Sequence, residues 1–206
     1  MATYTIYGDT ADGDVYNGFD DHGYAAARTH YPGSINSGDT AIYAAVGQDF
    51  SGGFYYIYQS CIGFNTSSVT GTIVSATLDL FIHNDQSTTD FTIEARTADW
   101  ASAVTGADYI VGADISALTL RASLATSGIT TGAYNSFTSE SGFPASIGSS
   151  VKLMLFSSRT TANTAPSGAE YIGFRTGDHA SPPRLTIVTA SGPPGTRRRP
   201  KGLYVR

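Results

Sequence analysis

The sequence predicts an all-β fold, in which two antiparallel sheets pack face to face as a sandwich of jelly-roll type. Three observations predict it: apolar residues recur with a period of two, charged residues make up only 14% of the chain, and turn-forming residues are abundant, with 23 glycines. A chain of 206 residues is long enough to bury a core of its own without disulfides or a metal. One compact domain is therefore expected.

Two segments show the clearest alternation. In the first, one face carries Phe54, Tyr56, Tyr58, Ser60, Ile62 and Phe64. In the second, one face carries Val74, Ala76, Leu78, Leu80 and Ile82. A period of two is the signature of a β-strand with one buried face. We expect the two segments to be neighbouring antiparallel strands or strands of the two facing sheets.

Shorter alternating segments predict the remaining strands. They lie around 91–96, 151–155, 172–174 and 184–189, with weaker candidates at 4–7, 42–46 and 134–137. Glu94 and Arg96 alternate with apolar residues, so both are expected on the solvent face. The only helical turn expected is a short one within residues 116–124.

The chain divides into a body and a tail. Residues 1–189 are predicted to form the sandwich, and residues 190–206 a Pro/Gly linker with a basic C-terminal tail. The body carries 7 basic and 17 acidic side chains, a formal balance of −10, whereas the tail has 5 basic residues and no acid. An acidic body repels nucleic acid and anionic membranes, so neither is expected as a partner.

The tail is the predicted partner-binding segment. Its cations would pair with acidic neighbours, and its apolar end would fill a groove or add a strand to the sheet edge of another subunit. The residues concerned are Arg197, Arg198, Arg199, Lys201, Leu203, Tyr204 and Val205. A disordered, solubilising tail is the alternative.

No arrangement of residues typical of an active site is present. The sequence contains no Gly-x-Ser-x-Gly elbow, no His-Glu-x-x-His, no phosphate-binding glycine loop and no paired-cysteine metal signature. The four histidines are scattered, and Cys61, the single cysteine, is expected to be a buried structural thiol. We therefore expect no enzymatic activity and no cofactor.

An acidic cluster near the N-terminus raises the question of a metal. Asp9, Asp12 and Asp14, followed by Asn17, Asp20 and Asp21, form an oxygen-rich segment of the kind that binds Ca²⁺. The spacing does not follow an EF-hand loop, and Asp-Gly and Asn-Gly pairs are common in ordinary turns. The turn interpretation is favoured, and no metal site is predicted.

Tyrosine is the other residue type with functional potential. The chain has 13 tyrosines, and Tyr56 and Tyr58 fall on the face of their strand opposite Tyr55. Exposed tyrosines can stack on sugar rings or supply contact area in protein interfaces. Packing at strand edges would equally account for them.

The first residues show no targeting signal. Residues 1–7 have neither a basic nor an apolar region of signal-peptide type, and no apolar run is long enough to span a bilayer. We expect the protein to be made in the cytoplasm.

Three stretches, taken together, resemble the DNRLRE-type β-sandwich family. They are Ile-Gly-Phe-Asn-Thr-Ser at 62–67 with the strand at 73–80, Ala-Asp-Trp at 98–100, and the closing phenylalanine, proline-rich turn and last strand at 174–188. Members of this family are found in phage structural proteins, in bacterial surface proteins and as carbohydrate-binding modules. The resemblance covers most of residues 10–189 and rests on packing and turn residues.

The resemblance implies two functions. The leading expectation is a bacteriophage virion structural protein: a head decoration, neck or collar, or tail surface component. It would be a homo-oligomer that contacts capsid, neck or tail subunits through the basic tail. The alternative is a non-catalytic carbohydrate-binding or adhesion module that recognises a cell-surface polysaccharide. The two can coexist, because many copies on one particle turn weak glycan binding into avidity.

Overall fold

The fold is built from antiparallel strands, which confirms the all-β class. The structure is a computed structural model, and it describes residues 1–19, 23–29, 42–100 and 103–190. The strands in these residues are β1 Ala2–Tyr7, β2 Gly13–Phe19, β3 Tyr43–Ser51, β4 Phe54–Asn65, β5 Thr72–Asp85, β6 Thr92–Thr97, β7 Leu120–Ala125, β8 Ala133–Ser136, β9 Thr138–Ser139, β10 Ser150–Ser157, β11 Glu170–Arg175 and β12 Arg184–Ala190. The helices described are α1 Gly23–Thr29 and α2 Ser158–Thr161.

These strands hydrogen-bond into one continuous sheet. The order along it is β1-β12-β5-β11-β3-β4-β10-β6-β7-β9, with β2 paired to β4 and β8 paired to β5 off this path. The two long strands each change partner along their length: β4 pairs first with β3 and then with β10, and β5 pairs first with β12 and then with β11. The described strands thus form a curled sheet, and the division into two jelly-roll sheets stays a prediction.

The main core lies inside this curl. Strands near both ends of the sheet contribute side chains to this core, with Leu185 and Ile187 from β12 and Ala122 from β7. Leu80 of β5 and Leu153 of β10 pack between them, almost fully buried. Burial of these aliphatic side chains from several strands is the principal stabilisation of the fold.

A second core lies on the other face of β4 and β10. Ile57 and Cys61 of β4 and Met154 of β10 pack there against α1 and the segment that follows β6. Trp100 covers Gly63, where an added Cβ atom would lie 3.2 Å from the indole ring. Burial of the Cys61 side chain confirms the structural interpretation of that residue.

The predicted helical turn is confirmed only at its start. A 3-10 turn covers Ile115–Ala117, and the rest of the predicted stretch is strand β7, in which Ala122 and Leu124 face the main core with a period of two. Helix α1 was not predicted, because its seven residues are too short to show helical periodicity. It buries Tyr24 and Ala27, one turn apart, on the second core.

The charged pair of β6 is not on an open solvent face, contrary to the prediction. The side chains of Glu94 and Arg96 are only 15% and 11% exposed, and they form an ion pair of 3.0 Å. Thr161 of α2 donates a hydrogen bond of 2.9 Å to Glu94. Helix α2 covers this part of the sheet, which the alternation pattern could not indicate.

The two strongest strand predictions are confirmed, but β4 and β5 are not paired with each other. In the order of the sheet, β11 and β3 lie between them. Val74 also departs from its predicted face and is 48% exposed. The cause is a β-bulge in β5: Val188 of β12 pairs with Ser75, and the next residue, Thr189, pairs with Ile73. Val74 is therefore the extra residue of the bulge, and Ile73 packs against the core in its place.

Candidate functional site

Five half-buried aromatic side chains form a continuous surface on neighbouring strands, which we call the aromatic row. It consists of Tyr16, Phe54, Tyr56, Tyr58 and Tyr171. Tyr58 lies at the centre, with its ring centroid 5.9 Å from that of Tyr16, 6.4 Å from that of Tyr56 and 5.3 Å from that of Tyr171. The planes of Tyr56 and Tyr58 differ by only 10°.

Strand register explains why these rings meet. Tyr16 of β2 lies opposite Tyr58 of β4, and Gly47 of β3 lies opposite both Tyr58 and Tyr171 of β11. Gly47 has φ of +140°, and a Cβ atom there would lie 2.5 Å from the Cα atom of Tyr171. The missing side chain at Gly47 therefore lets the rings of Tyr58 and Tyr171 come together across β3.

The row combines apolar area with polar groups. Burial is the main cause that raises the pKa of the Tyr58 phenol above its ordinary value, so its hydroxyl stays protonated and able to donate. Asp49 lies opposite Tyr56 across the strand pair, and desolvation is the main cause that raises the pKa of this carboxyl. Such a surface can stack against sugar rings or form the centre of a protein interface.

The sequence located only the β4 part of this surface. Its alternation placed Tyr56 and Tyr58 on one face, and Tyr55 does lie on the other, 4.5 Å from Phe50 and 5.6 Å from Tyr24 between ring centroids. Tyr16 and Tyr171 join the row through long-range strand pairing, for which a single sequence carries no local signal.

The predicted partner-binding residues lie outside the described residues. These are Arg197, Arg198, Arg199, Lys201, Leu203, Tyr204 and Val205. Their role stays a prediction.

The acidic segment is not the single loop that the sequence indicated. Asp14 belongs to strand β2 and is fully buried, and Asp12 immediately before the strand is 2% exposed. Asp12 accepts a hydrogen bond of 2.7 Å from the backbone of Gly177, and Asp14 accepts one of 3.3 Å from that of Ala45. Asp20 and Asp21 are not among the described residues.

Both buried carboxyls have strongly perturbed acidity. Desolvation is the largest cause, and it raises the pKa of Asp12 and that of Asp14 to about 7. One oxygen of each, Oδ1, has no hydrogen-bond partner among the described residues. In the described part of the chain, no group of three or more acidic, histidine or cysteine side chains is arranged to hold a metal ion.

The buried glutamate of β11 belongs to a structural network. Glu170 is fully buried, and its Oε2 atom accepts hydrogen bonds from Arg159 at 2.6 Å and from Gln48 at 2.8 Å. Gln48 in turn accepts bonds from Tyr24 of α1 and Thr160 of α2. These contacts attach both helices to the sheet, and the buried charge of Glu170 is paired with Arg159.

Two histidines lie on the outer surface beside an aromatic ring. His83 stacks on Tyr43 with centroids 4.2 Å apart, and His179 lies 6.0 Å from the same ring. Arg175 approaches His179 at 3.2 Å. His22 and His30 are outside the described residues.

Comparisons with known proteins leave the family open. A scan against models of protein families finds no match, and a search of curated proteins finds no significant relative. The resemblance to DNRLRE-type modules therefore stays a prediction. Within the residues that the structure describes, no helix is long and apolar enough to cross a membrane.

Proposed function

We propose that the chain is a non-catalytic structural protein of a bacteriophage virion, a surface component of the head, neck or tail that assembles through protein contacts. The observation that carries the proposal is the aromatic row. Five half-buried rings with one neighbouring carboxylate match the centre of a protein interface, where aromatic residues are enriched and charges depleted. The sequence resemblance to modules of phage structural proteins supports the same role.

The charge distribution supports attachment through the tail. The body has a formal balance of −10 and the tail carries five cations, so the tail of one copy is complementary to the body of another, or to an acidic neighbouring subunit. Repeated contacts of this kind generate symmetric assemblies.

The first test is quantitative mass spectrometry of purified particles from the source. We expect this polypeptide at a fixed ratio to the major capsid protein, and the ratio separates head decoration from neck or tail. Its absence from particles would remove the proposal.

A charge-reversed tail tests the attachment. In the full chain, Arg197→Glu, Arg198→Glu and Arg199→Glu together should leave thermal unfolding unchanged and reduce incorporation into particles at least tenfold. Arg121 of the body, half-buried on β7, provides the control for a charge reversal outside the tail, and Arg121→Glu is expected to incorporate normally. Full incorporation of the charge-reversed chain would show that the tail is not the anchor.

A second candidate function is binding of a cell-surface polysaccharide, and the aromatic row favours it specifically. Its rings extend across β2, β4 and β11, so a chain of sugar units could contact several rings at once. The Tyr58 hydroxyl and the Asp49 carboxylate would supply the directional hydrogen bonds that a sugar requires.

Variants of the row test polysaccharide binding. Tyr16→Ser with Tyr56→Ser removes two rings and retains Tyr58 and Tyr171, and it should weaken binding to host-envelope polysaccharide at least tenfold, or about 1.4 kcal/mol. Tyr43→Ser is the matched control, because Tyr43 is 39% exposed and lies beside His83 outside the row. Affinity electrophoresis against the polysaccharide measures both. Equal retardation of the two variants would contradict glycan binding by the row.

A further inference from the structure

A cleft separate from the aromatic row lies beside the edge of the sheet. It has a volume of about 520 Å³, within the range of small-ligand sites. Its walls come from β1, β8, β12 and the segment before β12. The lining residues are Tyr7, Tyr134, Ala180, Ser181, Pro182 and Arg184.

Arg184 is held rigidly in this cleft. Its Nε atom donates a hydrogen bond of 2.9 Å to Oδ2 of Asp79, and its guanidinium carbon lies 4.0 Å from the centroid of the Tyr134 ring. Asp79 is 3% exposed, and its other oxygen accepts a bond of 2.5 Å from Ser136. A buried carboxylate and an aromatic ring therefore fix both the position and the plane of the guanidinium.

The terminal nitrogens of this arginine remain available. The Nη atoms of Arg184 make no hydrogen bond to any described residue, and the side chain is 36% exposed. An arginine fixed through Nε presents its two Nη groups as a planar pair of donors that matches a carboxylate. Since Asp79 already uses both of its oxygens, it does not compete for these donors.

The walls of the cleft are equally well supported. The Tyr134 hydroxyl donates to the carbonyl oxygen of Pro182 at 3.0 Å, and the backbone of Gly8 donates to that of Pro183 at 2.7 Å. Tyr7, next to Gly8, is 58% exposed, one of the most exposed large apolar side chains among the described residues. An exposed phenol ring, on a backbone fixed at the next residue, therefore lies in the same cleft as a rigid arginine.

We propose that this cleft binds an acidic sugar residue, one whose ring carries a carboxylate. The carboxylate takes the two Nη donors of Arg184, the sugar ring packs on Tyr7, and Ser181 lies in reach of the sugar hydroxyls. A single sugar unit with an acid group needs one planar donor pair beside one exposed ring, which is what the cleft offers. The inference does not rest on the virion role, because the cleft shares no residue with the aromatic row.

Calorimetric titration of the full chain with five probes tests the ligand class. We expect tri-galacturonate to bind at least tenfold more tightly than maltotriose, the neutral control, and more tightly than tri-glutamate. Equal binding of the acidic and neutral sugars would overturn the proposal. Tighter binding of tri-glutamate would assign the cleft to acidic peptides, and tighter binding of glucose 6-phosphate than of glucuronate would assign it to phosphates; either result overturns it too.

Two variants test the residues. Arg184→Lys keeps the charge and the contact with Asp79 but loses the planar donor pair, so we expect at least a tenfold loss of affinity for tri-galacturonate. Tyr7→Ser changes an exposed side chain, leaves folding intact and should also weaken binding. Arg121→Lys, at a half-buried arginine of β7 outside the cleft, should bind as the wild type does. Unchanged affinity in both Arg184→Lys and Tyr7→Ser would overturn the assignment.

Discussion

Replacing Gly47 with alanine is expected to lower the free energy of unfolding by more than about 3 kcal/mol, from two additive causes. The φ angle of +140° is one that L-residues rarely adopt. The new Cβ atom would overlap the carbonyl oxygen of Glu170 and lie 2.5 Å from the Cα atom of Tyr171. Both neighbours are backbone atoms of β11, so relief of the overlap requires separation of β3 from β11.

Urea unfolding followed by circular dichroism measures the effect, and two other glycines separate its causes. Gly53 has φ of +89° with no atom within 4 Å of an added Cβ, so Gly53→Ala should show the backbone strain alone, about 1 kcal/mol. Gly128 has open space and no positive φ, so Gly128→Ala should be close to neutral. Wild-type stability in Gly47→Ala would mean that β3 and β11 are not as close as described.

The close contact between β3 and β11 at Gly47 also decides whether the aromatic row forms. Separation of β3 from β11 moves Tyr171 away from Tyr58, whose rings now lie 5.3 Å apart across Gly47. If the row binds polysaccharide as proposed, Gly47→Ala should lose that binding together with its stability, whereas Gly53→Ala and Gly128→Ala should retain it.

The strands were predictable from sequence where local alternation is strong, and their pairing was not. The period of two in Phe54–Asn65 is visible in the sequence because successive side chains of a strand point to opposite faces. Burial itself does not alternate there, since both faces are buried from Gln59 to Phe64. The partners of that strand depend on contacts between distant segments. The bulge at Val74 shows the same limit, because one extra residue reverses the faces beyond it without changing the local pattern.

The candidate sites were likewise predictable only where they depend on local alternation within one strand. Tyr56 and Tyr58 were visible as one face of a strand, but Tyr16, Tyr171 and the cleft around Arg184 are assembled by the fold. The acidic segment illustrates a further limit. Its composition fitted either cation ligands or ordinary turns, with turns favoured, whereas Asp12 and Asp14 accept backbone hydrogen bonds in the interior. Burial, which a short polar sequence does not reveal, changes the role of a carboxylate from exposed ligand to internal acceptor.

These two buried carboxyls should make the stability of the protein fall as the pH rises. The pKa of each is raised from 3.8 to about 7, with desolvation as the main cause, so the folded state binds protons more tightly than the unfolded chain does. Each contribution is complete below pH 4 and is lost as the pH rises towards 7. The difference between the folded and the unfolded pKa corresponds to about 4 kcal/mol in the free energy of unfolding for each carboxyl.

Asp14→Asn tests this dependence, because the amide is neutral at every pH and its oxygen can still accept from Ala45. Between pH 5 and pH 8 we expect the free energy of unfolding of the variant to rise relative to the wild type by about 3 kcal/mol, measured by urea unfolding. Asp114→Asn, at an exposed position, controls for the loss of one charge and should keep the wild-type slope. If Asp14→Asn has the same slope as the wild type, Asp14 is ionised in the folded protein, and an undetected partner must stabilise its charge. If its slope is reduced as expected, β2 carries a protonated carboxyl into the interior at moderately acidic pH.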